Sequence, residues 1–167
     1  MSSPLDSLLN LSGVTVEGHS QVEGYICIQL KILAHEIVCP HCSKPTQELH
    51  QVRSILVRDL PTFGQPVYLR VPRRQFYCRN CQKYVTQQLD FLSRRRRYTQ
   101  RYESYIYQRV LMSNITQVSR EEDLTADEVE GIGDKLRLYA SCQGDLRRCL
   151  KEKLVRTSLL FRKRCDN

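Results

Sequence analysis

Two short stretches, Cys39-Pro40-His41-Cys42 and Cys78-Arg79-Asn80-Cys81, decide the fold of the first half of this chain. In each stretch two residues separate a pair of cysteines, a spacing that lets one tight turn direct both thiolates at the same ion. Two such pairs supply the four sulfur ligands that structural zinc prefers. We therefore predict a structural zinc site whose ligands are Cys39, Cys42, Cys78 and Cys81.

Alternatives to this ligand set stay open at the level of sequence. The four cysteines could be unligated thiols at chance spacing, and His41 or, less well placed, His50 could replace one of them. A catalytic zinc keeps an open coordination position, and four thiolates leave none, so we expect no chemistry at the metal. Cys27 lies in a strand pattern between two isoleucines and is expected to be buried. The remaining cysteines have no metal-ligand spacing: Cys142, Cys149 and Cys165.

Length and composition bound the class of protein. The 167 residues suffice for one compact domain or two small ones. The mean hydropathy is −0.46, and no stretch approaches the ~20 apolar residues of a membrane span. The first six residues lack the charged and apolar regions of a signal peptide. We therefore expect a cytoplasmic, nucleoid-associated protein. In the cytoplasm, paired cysteines favour metal binding over disulfide formation.

The net charge of +8 is unevenly distributed along the chain. Residues 39–112 contain fourteen basic and four acidic residues, and residues 141–167 contain eight and three. In contrast, residues 1–38 and residues 113–140 are net acidic. Positive charge is therefore concentrated on the cysteine region and the segment after it, as expected of a nucleic-acid-binding protein.

Alternation of apolar and polar residues predicts a sheet around the cysteine pairs. A short helix at 4–11 is followed by predicted strands at 14–17 and 24–32, with a break at 18–21 between them. Residues 82–93 are expected to form a polar connector.

The 35 residues between the cysteine pairs contain a predicted hairpin. Its strands are expected at 52–58 and 67–71, around a turn at 61–66. Pro72 is expected to interrupt the second strand or to place it at a sheet edge. Such a hairpin would return the chain so that both cysteine pairs close on one ion.

Helical periodicity begins after the cysteine region. One stripe predicts a helix at about 99–112, and a second helix is expected at 115–122. A third begins at Thr125, where Thr125-Ala126-Asp127-Glu128 has the form of a capping box. Helix, short helix, tight turn and third helix form the plan of a helix-turn-helix unit. The inward stripe of the third helix is Val129, Ile132, Leu136 and Tyr139, and a last helix in the tail would be lined by Leu146, Cys149, Leu150 and Leu154.

Basic residues form the candidate DNA-binding set. Four consecutive arginines and Arg101 would present five guanidinium groups within eight residues, and arginine pairs with phosphate through two points of contact. A solvated arm or a contact with an acidic partner is the alternative. Asp127, Glu128 and Glu130 would repel phosphates, so we do not expect them to read bases. The full predicted set is Arg70, Arg73, Arg74, Arg79, Lys83, Arg94, Arg95, Arg96, Arg97 and Arg101.

These patterns predict an α+β fold: a small β-rich zinc-binding module followed by a helical, helix-turn-helix-like unit. We divide the chain into four parts. Residues 1–38 form an N-terminal helix and strands that pack on the zinc module, and residues 39–93 form that four-cysteine β module. Residues 94–140 contain the arginine arm and the helices, and residues 141–167 form a basic tail with a helical pattern.

With these motifs in hand, the chain resembles the N-terminal part of insertion-sequence transposases of the ISL3 family, from about Leu8 to Tyr139. The markers are the two cysteine pairs, Arg58-Asp59-Leu60-Pro61, Arg73-Arg74-Gln75-Phe76-Tyr77 before the second pair, Thr99-Gln100-Arg101-Tyr102-Glu103, and residues 117–125. The resemblance implies a zinc finger and a helix-turn-helix that bind inverted repeats at transposon ends. In such transposases a ribonuclease-H-like domain follows, whose acidic residues hold magnesium. The acidic residues after Tyr139 are too few to build that domain, so we expect no enzymatic activity from this chain: Asp145, Glu152 and Asp166.

The expected function is therefore zinc-dependent binding of double-stranded DNA, transposase-like but without the catalytic domain. The protein would act as a transposition accessory factor or as a transcriptional repressor at transposon-end-like sites. The alternative is a protein-interaction adaptor within a larger nucleoprotein complex. Expected partners are double-stranded DNA and a homodimer or larger nucleoprotein assembly, with no membrane and no small-molecule substrate.

Overall fold

The computed structural model describes residues 4–93 and 96–144, and the side chains as far as residue 135. It confirms the α+β class, with strands first and helices after them. The chain divides into two compact units, residues 1–102 and residues 103–167. The elements of the described part are α1 (Pro4–Leu9), β1 (Val14–Val22), β2 (Tyr25–Ile32), β3 (Ile37–Val38), β4 (Pro45–Thr46), β5 (Leu49–Thr62), β6 (Gln65–Cys78), β7 (Lys83–Thr86), α2 (Gln100–Met112), α3 (Ile115–Glu122) and α4 (Ala126–Gly144).

The first unit is built on a five-stranded sheet with β6 at its centre. β5 and β6 form a long antiparallel hairpin, and β1 and β2 form a second one. β2 pairs in parallel with residues 67–70 of β6, whereas β7 pairs antiparallel with residues 75–78. Both partners lie on the side of β6 opposite β5. Strands from residues 1–38 and 39–93 therefore share one sheet, while β3 and β4 form a separate two-stranded ribbon.

β6 buries opposite faces in its two halves. Val67, Leu69 and Val71 are buried in its first half, at odd positions, whereas Phe76 and Cys78 are buried in its second half, at even positions. Because successive side chains of a strand point to opposite faces, the main core and the cysteine cluster lie on opposite faces of β6. The main core consists of Val14, Ile28, Leu30, Ile32, Val57, Val67, Leu69, Val71 and Phe91.

The predicted break at 18–21 was wrong. β1 continues through it to Val22, and the register against β2 shifts between Val16 and Gly18. A bulge of this kind absorbs one extra residue without ending the strand. The turn falls instead at Gly24, whose φ of 89° is in the region that glycine adopts at no steric cost.

Of the two alternatives predicted for Pro72, the structure shows the edge position, and the prediction for the connector was wrong. Pro72 does not interrupt β6, which pairs through it with Ser54 of β5. It lies between the stretches of β6 that pair with β2 and β7, so one side of the strand is an edge there. A missing N–H on that side costs no ladder hydrogen bond. Residues 82–93, predicted to be a polar connector, contain β7.

The second unit contains α3, α4 and all but the first three residues of α2, which are the three predicted helices. α3 has the predicted bounds, and its N-cap Asn114 accepts a hydrogen bond from the N–H of Gln117. Thr125 and Glu128 form the predicted capping box, in which each side chain accepts a hydrogen bond from the backbone N–H of the other residue. Asp123, between α3 and α4, adopts a left-handed conformation that makes the turn tight.

Buried apolar side chains hold this helical unit together, namely Ile106, Val118, Val129 and Ile132. Glu122 is 5% exposed and accepts a hydrogen bond from the Tyr105 hydroxyl at 2.9 Å, and it is ion-paired with Arg109. The predicted inward positions Leu136 and Tyr139 lie in α4 beyond the described side chains, and the predicted tail helix lies outside the described residues. Of the described helices, none is long and apolar enough to cross a membrane.

Candidate metal centre and nucleic-acid interface

Each cysteine pair occupies a tight turn between two strands, which we call the first knuckle (Cys39–Cys42) and the second knuckle (Cys78–Cys81). The first connects β3 to β4, and its turn is closed by a hydrogen bond from the Ser43 N–H to the Cys39 carbonyl at 2.8 Å. The second connects β6 to β7. Both knuckles are followed by a residue with positive φ, Ser43 at 56° and Gln82 at 54°. The two turns therefore have matching backbone conformations.

Hydrogen bonds outside the cysteines connect the two knuckles. Lys44 Nζ, after the first knuckle, donates to Asn80 Oδ1 in the second at 2.9 Å. The Thr46 hydroxyl donates to the carbonyl of Tyr77 at 2.8 Å, which joins β4 to the end of β6. The protein framework thus brings the sulfur atoms together.

The four sulfur atoms have the spacing of a tetrahedral zinc site. The Sγ atoms of Cys39 and Cys81 are 3.5 Å apart, as are those of Cys42 and Cys78, and all four lie within 4.8 Å of one another. A tetrahedron of Zn–S bonds places its sulfurs about 3.8 Å apart. The quartet therefore fits structural zinc, with no fifth protein ligand required.

Local hydrogen bonds influence which thiols ionise. Burial opposes ionisation of Cys39, but hydrogen bonds from the backbone N–H groups of His41 and Cys42 outweigh it and lower the pKa of Cys39 to about 6. A backbone hydrogen bond from Cys81 lowers the pKa of Cys78. Burial raises the pKa of Cys81 to about 12, with hydrogen bonds to the neighbouring sulfurs adding to it. Each knuckle thus supplies one thiol that ionises readily, and thiolates are the form that binds zinc.

The other candidate ligands do not belong to this cluster of four ligand atoms. His41 is exposed, and the ring of His50 packs against Tyr84, with centroids 4.5 Å apart. Cys27 is 6% exposed within β2, as predicted for a small buried residue. Of the other three cysteines, Cys142 lies beyond the described side chains, and Cys149 and Cys165 lie outside the described residues.

The predicted DNA-binding residues on the sheet differ in how freely they face solvent. Arg70, Arg73 and Lys83 are exposed. The Arg79 side chain is 83% exposed and pairs with Glu48 at 2.6 Å. Arg74 is half-buried: its Nε donates to Gln87 at 2.8 Å and its Nη2 donates to the carbonyl of Ala34 at 2.5 Å. Burial also lowers the pKa of Arg74. Their contact with DNA stays a prediction.

The four consecutive arginines at residues 94–97, which we call the arginine run, end at the outer edge of β5. Arg94 and Arg95 lie outside the described residues. The Arg58 N–H donates to the Arg97 carbonyl at 2.8 Å, and the Thr99 N–H donates to the Arg58 carbonyl at 3.0 Å. The chain after the run is thereby paired with an edge strand that would otherwise expose its polar groups.

A buried carboxylate to which the sequence assigned no role anchors this segment. Asp59 is 1% exposed, and its Oδ1 accepts hydrogen bonds from the Thr99 hydroxyl and from Arg101 Nε, both at 2.7 Å. Arg101 also forms an ion pair with Asp59 Oδ2, and its Nη1 donates to the carbonyl of Leu9 at 2.6 Å. Thr99 in turn accepts from the Tyr102 N–H at 3.2 Å, as an N-cap of α2 does.

Arg101 differs from the exposed arginines in its contacts. Its guanidinium is bound to Asp59 and to the backbone carbonyl of Leu9, which holds the end of the run in place. Its contact with DNA stays a prediction. The sequence signal for this site was the Arg58-Asp59-Leu60-Pro61 motif, in which an acidic residue follows a strand within a strongly basic region.

Comparison with known protein families matches two successive regions of the chain. Residues 35–81 match the zinc-finger of transposase IS204/IS1001/IS1096/IS1165, and residues 87–136 match the helix-turn-helix domain of transposase family ISL3. The chain is 34% identical, over 116 residues, to the transposase for insertion sequence element IS1001 of Bordetella parapertussis. That alignment covers 70% of this chain but 28% of the relative. No solved structure matches the chain.

The matched regions agree with the geometry. The zinc-finger region contains both knuckles, and the helix-turn-helix region contains α2, α3 and the start of α4. The chain therefore has a region similar to the zinc-finger of these transposases, followed by a region similar to the helix-turn-helix domain of transposase family ISL3.

Proposed function

We propose that this chain binds double-stranded DNA as the DNA-binding part of a transposase-like protein in the cytoplasm. It would act at transposon-end-like sites, as a transposition accessory factor or as a transcriptional repressor that competes for those sites. The observation that carries this proposal is the succession of a region similar to a transposase zinc finger and a region similar to the ISL3 helix-turn-helix, with four consecutive arginines in this chain after the second cysteine pair. The chain spans about a quarter of its IS1001 relative, so the strand-transfer chemistry of a whole transposase is not part of the proposal.

The position of Arg97, the last residue of the arginine run, supports phosphate binding. Backbone pairing with Arg58 and the Asp59 cluster fix the segment from Arg97 to Arg101 against the sheet. Guanidinium groups that start from a fixed backbone lose less conformational freedom when they bind phosphate. Exposed Arg70, Arg73 and Lys83 add positive charge in the same unit.

The beginning of α4 is poorly suited to phosphate contact. Asp127, Glu128 and Glu130 are exposed, and the Glu128 carboxylate is engaged by the N–H and hydroxyl of Thr125. These acidic residues stabilise α4, because negative charge near a helix N-terminus interacts favourably with the helix dipole. We therefore assign most of the phosphate binding to the arginine run and the sheet.

The salt dependence of binding tests the arginine run. Each phosphate contact contributes about −0.9 to the slope of log affinity against log salt. If all four arginines contact phosphates, changing residues 94–97 to glutamine should flatten that slope by about 3 to 4. Fluorescence anisotropy on duplexes, selected first from a random pool, gives both the affinity and the slope.

A single-charge comparison controls for loss of net charge. Arg97→Gln should flatten the slope by about 1, whereas Lys31→Gln, which removes an exposed charge on β2 outside the predicted set, should leave it nearly unchanged. Equal effects of the two changes would contradict a localised phosphate site. Undetectable binding at low salt, or binding independent of salt, would contradict the proposed function itself.

A protein-interaction adaptor is the second candidate, and exposed apolar side chains at the end of α2 favour it. Leu111 is 59% exposed and Met112 is 84% exposed, although solvent-facing helix ends usually carry polar residues. Should self-association be the function, Leu111→Gln with Met112→Gln should shift the sedimentation of the full chain from oligomer to monomer while duplex binding is retained. Unchanged sedimentation, together with loss of DNA binding in the arginine variants, would leave the DNA-binding function alone supported.

An enzymatic role has the least support of the three. Among the described side chains, the cysteine quartet is the one cluster of three or more metal-ligating groups. Four thiolates around one ion leave no coordination position for water or substrate.

A further inference from the structure

A polar and aromatic surface lies on the sheet across β5, β6 and β7. Its position follows from the strand register, because directly paired residues share a face. Phe76, Cys78 and Val85 are buried on one face of this part of the sheet; the intervening residues lie on the other. We call that second surface the tyrosine face, and its members are Arg53 opposite Arg73, Gln75 between Gln51 and Thr86, Tyr77 opposite Tyr84, and His50.

Three aromatic rings form a cluster at one end of the tyrosine face. The Tyr84 ring lies 4.5 Å from that of His50 and 5.2 Å from that of Tyr77, centroid to centroid, with tilts of 47° and 52°. His50 is the extra residue of the β5 bulge between Leu49 and Gln51, which allows its ring to reach this cluster. Tyr84 is nevertheless 55% exposed. The cluster is therefore an aromatic surface open to solvent and not part of a core.

Two arginines face each other at the other end of the tyrosine face. Arg53 and Arg73 are directly paired across β5 and β6, and both are exposed. Neither forms an ion pair with any residue in the described part of the chain. Like charges directly opposite each other destabilise a sheet. A bound polyanion would neutralise that repulsion.

A groove of about 580 Å³ runs along β7 beside this face. Arg73, Tyr84 and Thr86 of the tyrosine face line it, together with Gln87 and Arg96. Cationic, amide and aromatic groups thus border one groove, together with apolar side chains such as Val71, Val85 and Leu89. This is the combination used by proteins that bind single strands, in which basic groups follow the phosphates and aromatic rings stack on bases.

We propose that the tyrosine face binds unpaired nucleotides of single-stranded DNA, with Tyr84 stacking on a base beside Tyr77 and His50. Arg73 and Arg96, which line the groove, hold the phosphates together with Arg53, which lies directly opposite Arg73 on the sheet. Base stacking requires an exposed base face, which a duplex keeps inside its own stack. The inference rests on the proposed DNA-binding function and extends it to a second form of DNA.

The test compares single-stranded and duplex probes on the full, zinc-loaded chain. The single strand is an oligodeoxythymidine of about 12 nucleotides, and an abasic strand of equal length keeps its phosphates without its bases. Tyr84→Ala should weaken binding of the oligodeoxythymidine roughly 5- to 150-fold and leave binding of duplex and abasic strand within twofold. Tyr84→Phe, which keeps the ring, should bind like the unsubstituted protein.

Phe63→Ala is the matched control, because Phe63 is 96% exposed at the β5–β6 hairpin and lies off the tyrosine face. It should leave all three affinities unchanged. Equal binding of the abasic and base-bearing strands, or equal losses for duplex and single strand in Tyr84→Ala, would overturn the inference. If the protein binds duplex but not single-stranded DNA, the inference about the tyrosine face is wrong and the proposed function stands. If it does not bind duplex, the result counts against the proposed function, whether or not it binds the single strand.

Discussion

Replacing Cys78 with serine is expected to abolish stoichiometric zinc binding and to unfold the knuckle end of the sheet while the main core stays folded. Cys78 is 2% exposed, ends β6, and lies 3.5 Å from the sulfur of Cys42. With a ligand removed from the tetrahedron, the other three sulfurs hold the ion too weakly to keep both knuckles ordered.

The magnitudes explain why the effect should be large but local. Ordering the eight residues of the two knuckles costs about 8–16 kcal/mol of backbone entropy. Val85 and the partly buried Ile37 are the apolar partners of the cysteine cluster, and their burial returns at most about 3–6 kcal/mol. Structural zinc in small modules contributes about 10–16 kcal/mol, enough to close the difference. The main core, by contrast, contains nine buried residues of its own.

Two measurements check this prediction. Elemental analysis after dialysis against a mild chelator should give one zinc per chain for the unsubstituted protein and none for Cys78→Ser. Amide hydrogen exchange should lose protection at residues 37–46 and 78–86 and retain it at residues 67–71.

Cys27→Ala is the matched control, because Cys27 is also buried in the sheet but takes no part in the quartet. It should keep its zinc and its protection at both knuckles. Full protection of the knuckles in zinc-free Cys78→Ser would show that the fold does not depend on the metal.

The sequence was sufficient for elements whose signal is local. The cysteine spacing identified the quartet, and the capping box and periodicity located α2, α3 and the start of α4. Such features depend on residues within one turn or one helix face. Gly18 misled because a bulge is a property of strand pairing, which a single strand does not reveal. The same pairing was needed to decide between the two alternatives for Pro72.

Sites that require strand register could not be predicted in the same way. The tyrosine face joins residues from three strands, and the alternation of β6 reverses its buried face in mid-strand. Arg101 belongs to the same basic stretch as the arginine run, yet its partner Asp59 lies 42 positions earlier. Whether an arginine is held by the protein or is available to a ligand therefore depends on its pairing with a distant acidic residue, and the local density of positive charge does not reveal it.

Asp59→Ala is expected to destabilise the first unit by about 3 kcal/mol. Removing one partner of a buried ion pair costs about 3–5 kcal/mol, and the lower end applies because the Arg101 side chain is 32% exposed. The alanine would also leave the Thr99 hydroxyl without the acceptor to which it now donates. Urea unfolding of the full chain, followed by far-ultraviolet circular dichroism, measures the loss, which is a large part of the 5–15 kcal/mol typical of a domain.

Asp59→Asn and Glu48→Ala separate charge, hydrogen bonding and position. Asparagine keeps an acceptor for Thr99 but removes the charge opposite Arg101. The stability of Asp59→Asn should therefore lie between that of the unsubstituted protein and that of Asp59→Ala. Glu48→Ala breaks a carboxylate–arginine pair in which both side chains are exposed, and such pairs contribute little to stability. Hydrogen exchange should rise at residues 97–101 in Asp59→Ala and not in Glu48→Ala. If the two alanine variants are equally stable, Asp59 does not anchor the end of the arginine run, and the fixed geometry on which phosphate binding depends must come from the backbone pairing with Arg58 alone.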